Sequence, residues 1–426
     1  MNDKSIVLAF FIVVYLYLIL FKHYRAVAIW TGITGIFLFG IIEPLNLIAF
    51  VNWNVIGIFA GTLIIAEFFT YSRVPAFLAD FLVGRSKNIG TAMLRVCIMS
   101  GFLSIFVENV AVVLIVAPIA LEMAKKLKVS PIPVIIGIAV ASNLQGTATL
   151  IGDPPSMILA GFLRMDFNDF FVYYGRPGIF FAVEFSAIVS FIVLYLFFRS
   201  FKQPVGEITR VRVLSWTPTL MLCAMIAGLA VAPVFDREFL WLSGTVCMVA
   251  AIAAAAWSMR KFGGEITFGN LKKYDFDTTL FLAGIFVLVH TFEDVGLVES
   301  MSRYLVELLG SGLLVNYLFI VLFSVIVSAV IDNVPFITIM IPVTYQLGRS
   351  LTGGEGSEYL LVFGLLIGTC MGGNITPIGA AANIVSVGIL RKEGYRISFW
   401  TFVKIGLPYT IAATAAGALF IWLVWK

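Results

Sequence analysis

Two short stretches decide how this chain folds: Phe106-Val-Glu-Asn-Val110 and Val330-Ile-Asp-Asn-Val334. Each places a carboxylate and an amide inside a long apolar run, and the two lie 224 residues apart. Pro118 and Pro342 follow at the same offset. Further on, Gly146-Thr-Ala-Thr-Leu-Ile-Gly152 matches Gly373-Asn-Ile-Thr-Pro-Ile-Gly379 at an offset of 227. Upstream, Gly61 pairs with Gly284 at 223; downstream, Gly175-x-Pro177 pairs with Gly406-x-Pro408 at 231. Matches that keep one order and drift so little in offset mark an internal duplication.

The surrounding composition sets the medium. Of 426 residues 61% are hydrophobic and only 12% charged, about half the roughly 25% charge of a soluble domain. That excludes a water-soluble globule, a disordered chain, a coiled coil and a disulfide-stapled secreted domain. Uninterrupted apolar spans lie near 5–21, 26–42, 54–71, 178–198, 217–234, 239–257, 278–292 and 402–425. Each approaches the length that crosses a ~30 Å hydrocarbon layer. Backbone groups cannot stay unpaired in lipid, so these are helices, and barrel-type alternation is absent. Four more apolar runs are interrupted: 97–124 at Glu108-Asn109, 131–161 across 146–155, 314–348 at 332–335, and 359–390 across 371–379. Cys97, Cys223, Cys247 and Cys370 stand singly, without the spacing of a disulfide framework or a zinc site. The short polar N-terminus runs directly into the first span and lacks a signal-peptide cleavage pattern.

Charge orients the spans. If the breaks at Glu108 and Asp332 are tips of re-entrant hairpins, one face collects 21 of the 28 Lys and Arg residues, Lys22, Arg25 and Arg210 among them. That face is cytoplasmic by the positive-inside rule. The first half then starts outside and the second inside, so the repeats are inverted. The expected fold is an all-α polytopic membrane protein of two inverted repeats, each with a re-entrant hairpin and a broken helix. It has about ten crossings plus two hairpins, with both termini outside. By segment, 1–53 and 199–275 are two-helix elements, the latter including a linker; 54–198 and 276–426 are the repeats. The stretches 76–83 and 301–309 are amphipathic and lie along the interface.

Inverted repeats with discontinuous helices are the architecture of secondary transporters, in which half-helix ends and unwound backbone meet ions near the midplane. Here two tips (108–110 and 332–334) and two unwound segments (142–156 and 370–383) converge on one site. Glu108 and Asp332 are ionisable inside apolar runs, so they face protein or water and meet a cation or proton. Asn109, Asn143, Asn333, Asn374 and Asn383 offer amide oxygens, and Thr147, Thr149 and Thr376 offer hydroxyls. Such hard oxygens suit Na⁺, H₃O⁺ or a small oxyacid. Asp153 admits two roles, an N-cap for the second half-helix or an ion contact. Asn109 and Asn333 either satisfy backbone at the tips or touch the ion. Glu67 and His290, equivalent at offset 223, are either packed against partners or take part in the cycle; Cys370 reads as a small apolar residue.

Those residues resemble a known family. Glu108-Asn-Val, the run from Ala141 to Pro155, Asp332-Asn-Val-Pro335 and the run from Gly372 to Asn383 are similar to the arsenite-permease / sodium–proton antiporter branch of the ion transporter superfamily. Citrate-transporter-like permeases and the melanosomal P protein belong there too. The resemblance implies a homodimer with a scaffold (1–53 and the helices of 199–275) and a part that carries its site across the membrane like an elevator. In sodium-coupled dicarboxylate relatives the tip reads Ser-Asn-Thr and holds carboxylate and Na⁺. Glu108-Asn109-Val110 and Asp332-Asn333-Val334 replace it here, and two carboxylates there repel a dicarboxylate. Glu108 also stands where Asp is usual in the branch, and Ser156 where Asn is usual.

The expected function is secondary transport, in an inner (plasma) membrane, of a small inorganic ion or oxyacid such as arsenite, coupled to H⁺ or Na⁺. Na⁺/H⁺ antiport is the alternative; sodium-coupled carboxylate transport and a passive channel rank below. No cofactor is expected beyond a bound Na⁺ at Asn109, Asn333, Thr149 and Thr376. The partners are the ion, the coupling ion, the lipid bilayer and a second copy of the chain, with no nucleic acid. An enzyme is not expected: no His-Glu-x-x-His is present, and Leu150-Ile-Gly-Asp153 lacks the glycine of an aspartyl intramembrane protease.

Overall fold

The computed structural model describes residues 2–21, 24–205, 211–351 and 356–426. Lys22 and Arg210 of the charge reading lie outside these residues. The chain runs α1 (Asp3–Leu20), α2 (Arg25–Leu38), a single turn α3 (Asn46–Ala49), α4 (Trp53–Tyr71), α5 (Val74–Gly84), α6 (Ile89–Ser104), α7 (Asn109–Lys126), α8 (Ile132–Gly146), α9 (Pro154–Leu163) and α10 (Ile179–Phe198). It continues with α11 (Thr217–Val231), α12 (Leu242–Phe262), α13 (Gly264–Leu271), α14 (Phe276–Asp294), α15 (Leu297–Leu309), α16 (Leu313–Ser328), α17 (Asn333–Ser350), α18 (Ser357–Gly372), α19 (Ala381–Lys392) and α20 (Phe399–Trp425). Among the described residues the only strands are an antiparallel pair, Val172–Tyr173 with Arg176–Pro177. The all-α expectation holds.

Among the described residues six helices are by themselves long and apolar enough to cross a membrane: α4, α10, α11 with its 3-10 extension to Val234, α12, α14 and α20. The interrupted runs break where the sequence puts its polar residues. α6 stops at Ser104 and α7 restarts at Asn109; α16 stops at Ser328 and α17 restarts at Asn333. At 1.5 Å per residue, α6 with 16 residues and α8 with 15 fall short of the ~30 Å core, as half-crossing elements should. α15 carries its charges on one face and bends away from α16 by 114°, the behaviour of a helix lying in the interface.

Equivalent side chains hold equivalent joints in the two halves. Asn52 caps α4 through Val55 N at 3.1 Å, and Asp275 caps α14 through Thr278 N at 3.0 Å. Glu108 caps α7 through Ala111 N at 3.0 Å, and Asp332 caps α17 through Val334 N at 3.2 Å. The Thr149 hydroxyl donates to the Ile105 carbonyl, and Thr376 donates to that of Ala329. Each pins an unwound segment beneath its own hairpin tip. α4 lies along α12, and α14 along α2, so each repeat packs on the two-helix element that precedes the other. Gly61 abuts Cys247 there, and Gly284 abuts Ile29 and Trp30.

At Gly152 close approach leaves no room for a side chain. A Cβ would stand 2.4 Å from the Gly146 carbonyl oxygen and 2.6 Å from that of Ser104; at Gly379 it would meet Gly373 O at 2.6 Å and Ser328 O at 3.0 Å. Both contacts are with backbone, which cannot rotate aside. Gly152→Ala is therefore expected to cost about 2–3 kcal/mol, the upper range of overpacking. Gly388→Ala in α19, where a Cβ meets nothing within 4 Å, should stabilise by about 0.5–1 kcal/mol. Thermal unfolding in lipid nanodiscs compares them, and equal melting temperatures would remove the claim of a tight tip.

Candidate functional site

Both hairpin tips and both unwound segments, the second through Ala380 and Ala381, open into one cavity of about 590 Å³. Glu108, Asn109, Asn143, Asp153, Asp332 and Asn333 line it, joined by Arg25, Glu67, Lys273, Asp275 and Asp277. Six of the lining side chains are carboxylates and two are cations. Arg25 meets Asp332 at 2.8 Å, and Lys273 meets Glu67 at 3.5 Å. The Asp275 carboxylate is spent on the α14 cap, also taking the Thr278 hydroxyl at 2.6 Å, and Asp277 accepts from Ala26 N at 3.4 Å. Glu108 and Asp153 have no cation against them among the described residues.

Asp153 sits at the N-cap position of α9, but its side chain makes no cap hydrogen bond. The amide that the other caps use, three residues on, goes elsewhere here: Ser156 N donates to the Asp153 main-chain carbonyl at 3.1 Å, and Pro155 offers no second N–H. The carboxylate is 3% exposed, has one oxygen without a partner, and lies against Asn109 and within the fields of Glu108 and Asp332. The capping role is not the one this side chain fills.

Asn143 ties the two repeats together. Its amide nitrogen donates to the Cys370 carbonyl at 2.9 Å and to Asn374 Oδ1 at 3.1 Å, while its oxygen accepts from Asn109 Nδ2 at 3.2 Å. Asn333 Oδ1 accepts from the Ser328 hydroxyl at 2.5 Å. The other sequence candidates lie behind the cavity wall. Thr147 bonds within α8 at 3.5 Å; Thr149 and Thr376 are the pins already described. Asn383 donates to the carbonyls of Gly373 and Thr376, both at 2.8 Å. Asn374 is fully buried and leaves its own N–H₂ group without a partner.

The sequence reading missed Arg25, Lys273, Tyr274, Asp275 and Asp277 as cavity residues. A signal existed: Arg25 opens α2, where the helix dipole disfavours a cation, so a carboxylate has to hold it. Asp275 and Asp277 also replace Asn52 and Asn54 at offset 223.

A second hollow, of about 480 Å³, repeats the first across the pseudo-symmetry. Phe286, His290 and Thr338 line it, equivalent to Leu63, Glu67 and Leu114 of the first. It reaches Ile158, Gly161, Phe162, Thr338 and Ile341 but not the hairpin tips. Glu67 and His290 thus face different hollows, and His290 pairs with Glu293 at 3.4 Å.

Paired interrupted helices around a polar cavity define a multi-pass membrane transporter. The chain belongs to the citrate transporter family (CitMHS), which it matches over residues 14–363. It is 29% identical to the Mycobacterium tuberculosis protein named "Uncharacterized transporter Rv2685" over 382 residues, 88% of this chain and 86% of the other. The P protein of Sus scrofa is 24% identical over 438 residues, covering 83% of this chain and 50% of that longer protein. Among solved structures, the YdaH transporter of Alcanivorax borkumensis superposes with a TM-score of 0.60 at 16% identity, over 89% of this chain and 86% of its own. MtrF of Neisseria gonorrhoeae gives 0.52 at 15%, over 100% and 95%. At those identities the two share a fold with this chain.

Proposed function

We propose that the larger cavity is a transport site open to the cytoplasm, and that Glu108 and Asp153 bind a coupling cation, H⁺ or Na⁺. The carrying observation is the pair of carboxylates that no cation neutralises. The transported species is a small inorganic ion or an uncharged oxyacid. A bare polycarboxylate meets Glu108, Asp153 and Asp332 together, and like charges 4 Å apart repel by ~4 kcal/mol even at an effective dielectric of 20. The cavity mouth at Arg25 and Lys273 belongs to the basic, cytoplasmic face.

Two equivalent hollows, of which one reaches the tips, support elevator-type exchange between inward- and outward-open states. In it the scaffold elements of 1–53 and 199–275, α1–α3 and α11–α13, stay fixed while the hairpins and broken helices move, each within a homodimer. A carboxylate substrate, as the family's description has it, is the second reading; Arg25 favours it, because a guanidinium in the cavity pairs well with carboxylates. Proteoliposomes with imposed pH and Na⁺ gradients, screened with arsenite, Na⁺, Li⁺, citrate and sulfate, separate the readings. Saturable, gradient-driven flux of an inorganic species supports the first. Citrate flux supports the second, and single-channel currents overturn both.

Arg25 and Asp332 belong to the fixed and moving parts in this scheme, so their bridge has to break in every cycle. With side chains about one-fifth exposed, such a pair contributes about 1 kcal/mol. Arg25→Gln is expected to lower the half-saturation for the coupling cation on the cytoplasmic side about fivefold, by freeing Asp332. Inside-out vesicles measure it; an unchanged value would place Asp332 outside the transport site.

A further inference from the structure

Glu184 is an intramembrane carboxylate that neither the cavity nor the repeat pattern uses. It lies five residues into α10, a candidate span with mean hydropathy 2.3. The Gln145 amide nitrogen donates to both of its carboxyl oxygens, at 3.0 and 3.1 Å. Gln145 is 4% exposed, and its own Oε1 has no hydrogen-bond partner. That oxygen is enclosed against Gly101, where a Cβ would stand only 1.9 Å away.

The helices packed on α10 offer Glu184 no cation. α8 carries no charged residue. On α6 the titratable groups are Cys97 and Arg95, and Arg95 is turned to Leu82 O at 3.5 Å and Ser86 Oγ at 3.3 Å. On α20, Tyr409 lies within the field of Glu184. Lys404 lies more than three turns along α20 from Gly417, which abuts Ser186.

We propose that Glu184 and Gln145 form a proton-binding site, separate from the cavity, in which Glu184 is a neutral acid at neutral pH. The argument is donor arithmetic. An ionised carboxylate has no hydrogen to give, so Gln145 Oε1 stays unsatisfied, and an unpaired charge sits in the membrane. With one proton added, the acid O–H donates to Gln145 Oε1, and Gln145 Nε2 donates to the remaining carbonyl oxygen. Both side chains are then satisfied. Loss of that proton removes the bond at Oε1, directly before Gly146 and the unwound segment, on the helix that carries Asn143. Proton occupancy here is therefore felt at the transport site without any contact with the cation.

Infrared spectroscopy of the full chain in lipid nanodiscs tests this without a transported species, so it stands or falls separately from the cation reading. At neutral pH the wild type should show a protonated-carboxyl C=O band that Glu184→Gln removes. Gln145→Leu, which leaves the acid without its amide partner, should shift that band to higher frequency and covers the case in which Glu184→Gln fails to fold. If wild type and Glu184→Gln superpose in the protonated-carboxyl region, or Gln145→Leu leaves the band in place, the site is not there.

Discussion

Glu108→Gln combined with Asp153→Asn is expected to abolish gradient-driven flux while leaving the protein as stable as wild type, or more so. A hydrogen bond to a charged group contributes about 1.5–3 kcal/mol, so each neutralisation should weaken cation binding roughly 10- to 100-fold. Stability moves the other way. The two carboxylates share a cavity in which only Arg25 and Lys273 are positive, and both cations are engaged elsewhere. Removing unneutralised like charges relieves repulsion that the empty protein carries as the cost of binding a cation. The opposed signs separate a ligand site from a structural one: a carboxylate that merely held the fold would lose melting temperature with activity. Flux in proteoliposomes and unfolding in nanodiscs give both numbers on one preparation. Wild-type coupling in the double variant would end the cation role of these residues.

The legible part of this molecule was its backbone chemistry. Both hairpin tips and both unwound segments break at or beside the residues quoted from the sequence, because Gly, Pro and buried Asp or Asn leave helices few alternatives. The doubled pattern then fixed where the halves correspond, and Thr149 and Thr376 make the same bond in both. Their role was not legible. A threonine that pins a carbonyl and one that coordinates Na⁺ have the same residue type and spacing, and only the partner tells them apart. Arg25 was legible only as a cation that needs a carboxylate: its partner Asp332 lies 307 residues away, and nothing in the sequence says which carboxylate that is. Asp153 was open for a similar reason: Ser156 leaves an N–H three residues on, and only the structure shows that it goes to the Asp153 carbonyl and not to the carboxylate. Glu184 was hidden by its span, which is apolar enough to absorb one carboxylate in any average.

Asn143→Ala should be the most damaging substitution that leaves every charge in place. The side chain is 1% exposed and makes three hydrogen bonds, to Cys370 O, Asn374 Oδ1 and Asn109 Nδ2. These reach the first hairpin tip and the unwound segment of the opposite repeat, so one amide spans the pseudo-two-fold. Truncation strands the Cys370 carbonyl and Asn374 Oδ1 behind the cavity wall and takes from Asn109 its partner in the opposite wall. Each buried group left unsatisfied costs about 1–3 kcal/mol, and because the three share a network the sum is not additive. A loss of about 3–5 kcal/mol is expected, a large fraction of a marginal stability. Asn143→Asp discriminates further: its oxygens still accept from Asn109 but cannot donate to Cys370 O or Asn374, and it adds a negative charge beside Asp153. It should therefore retain even less stability than Asn143→Ala. Unfolding of both variants in nanodiscs, with Asn374→Ala beside them, measures the network. If Asn143→Ala melts with the wild type, the two repeats are held together elsewhere, and the cavity they enclose is not organised by this residue.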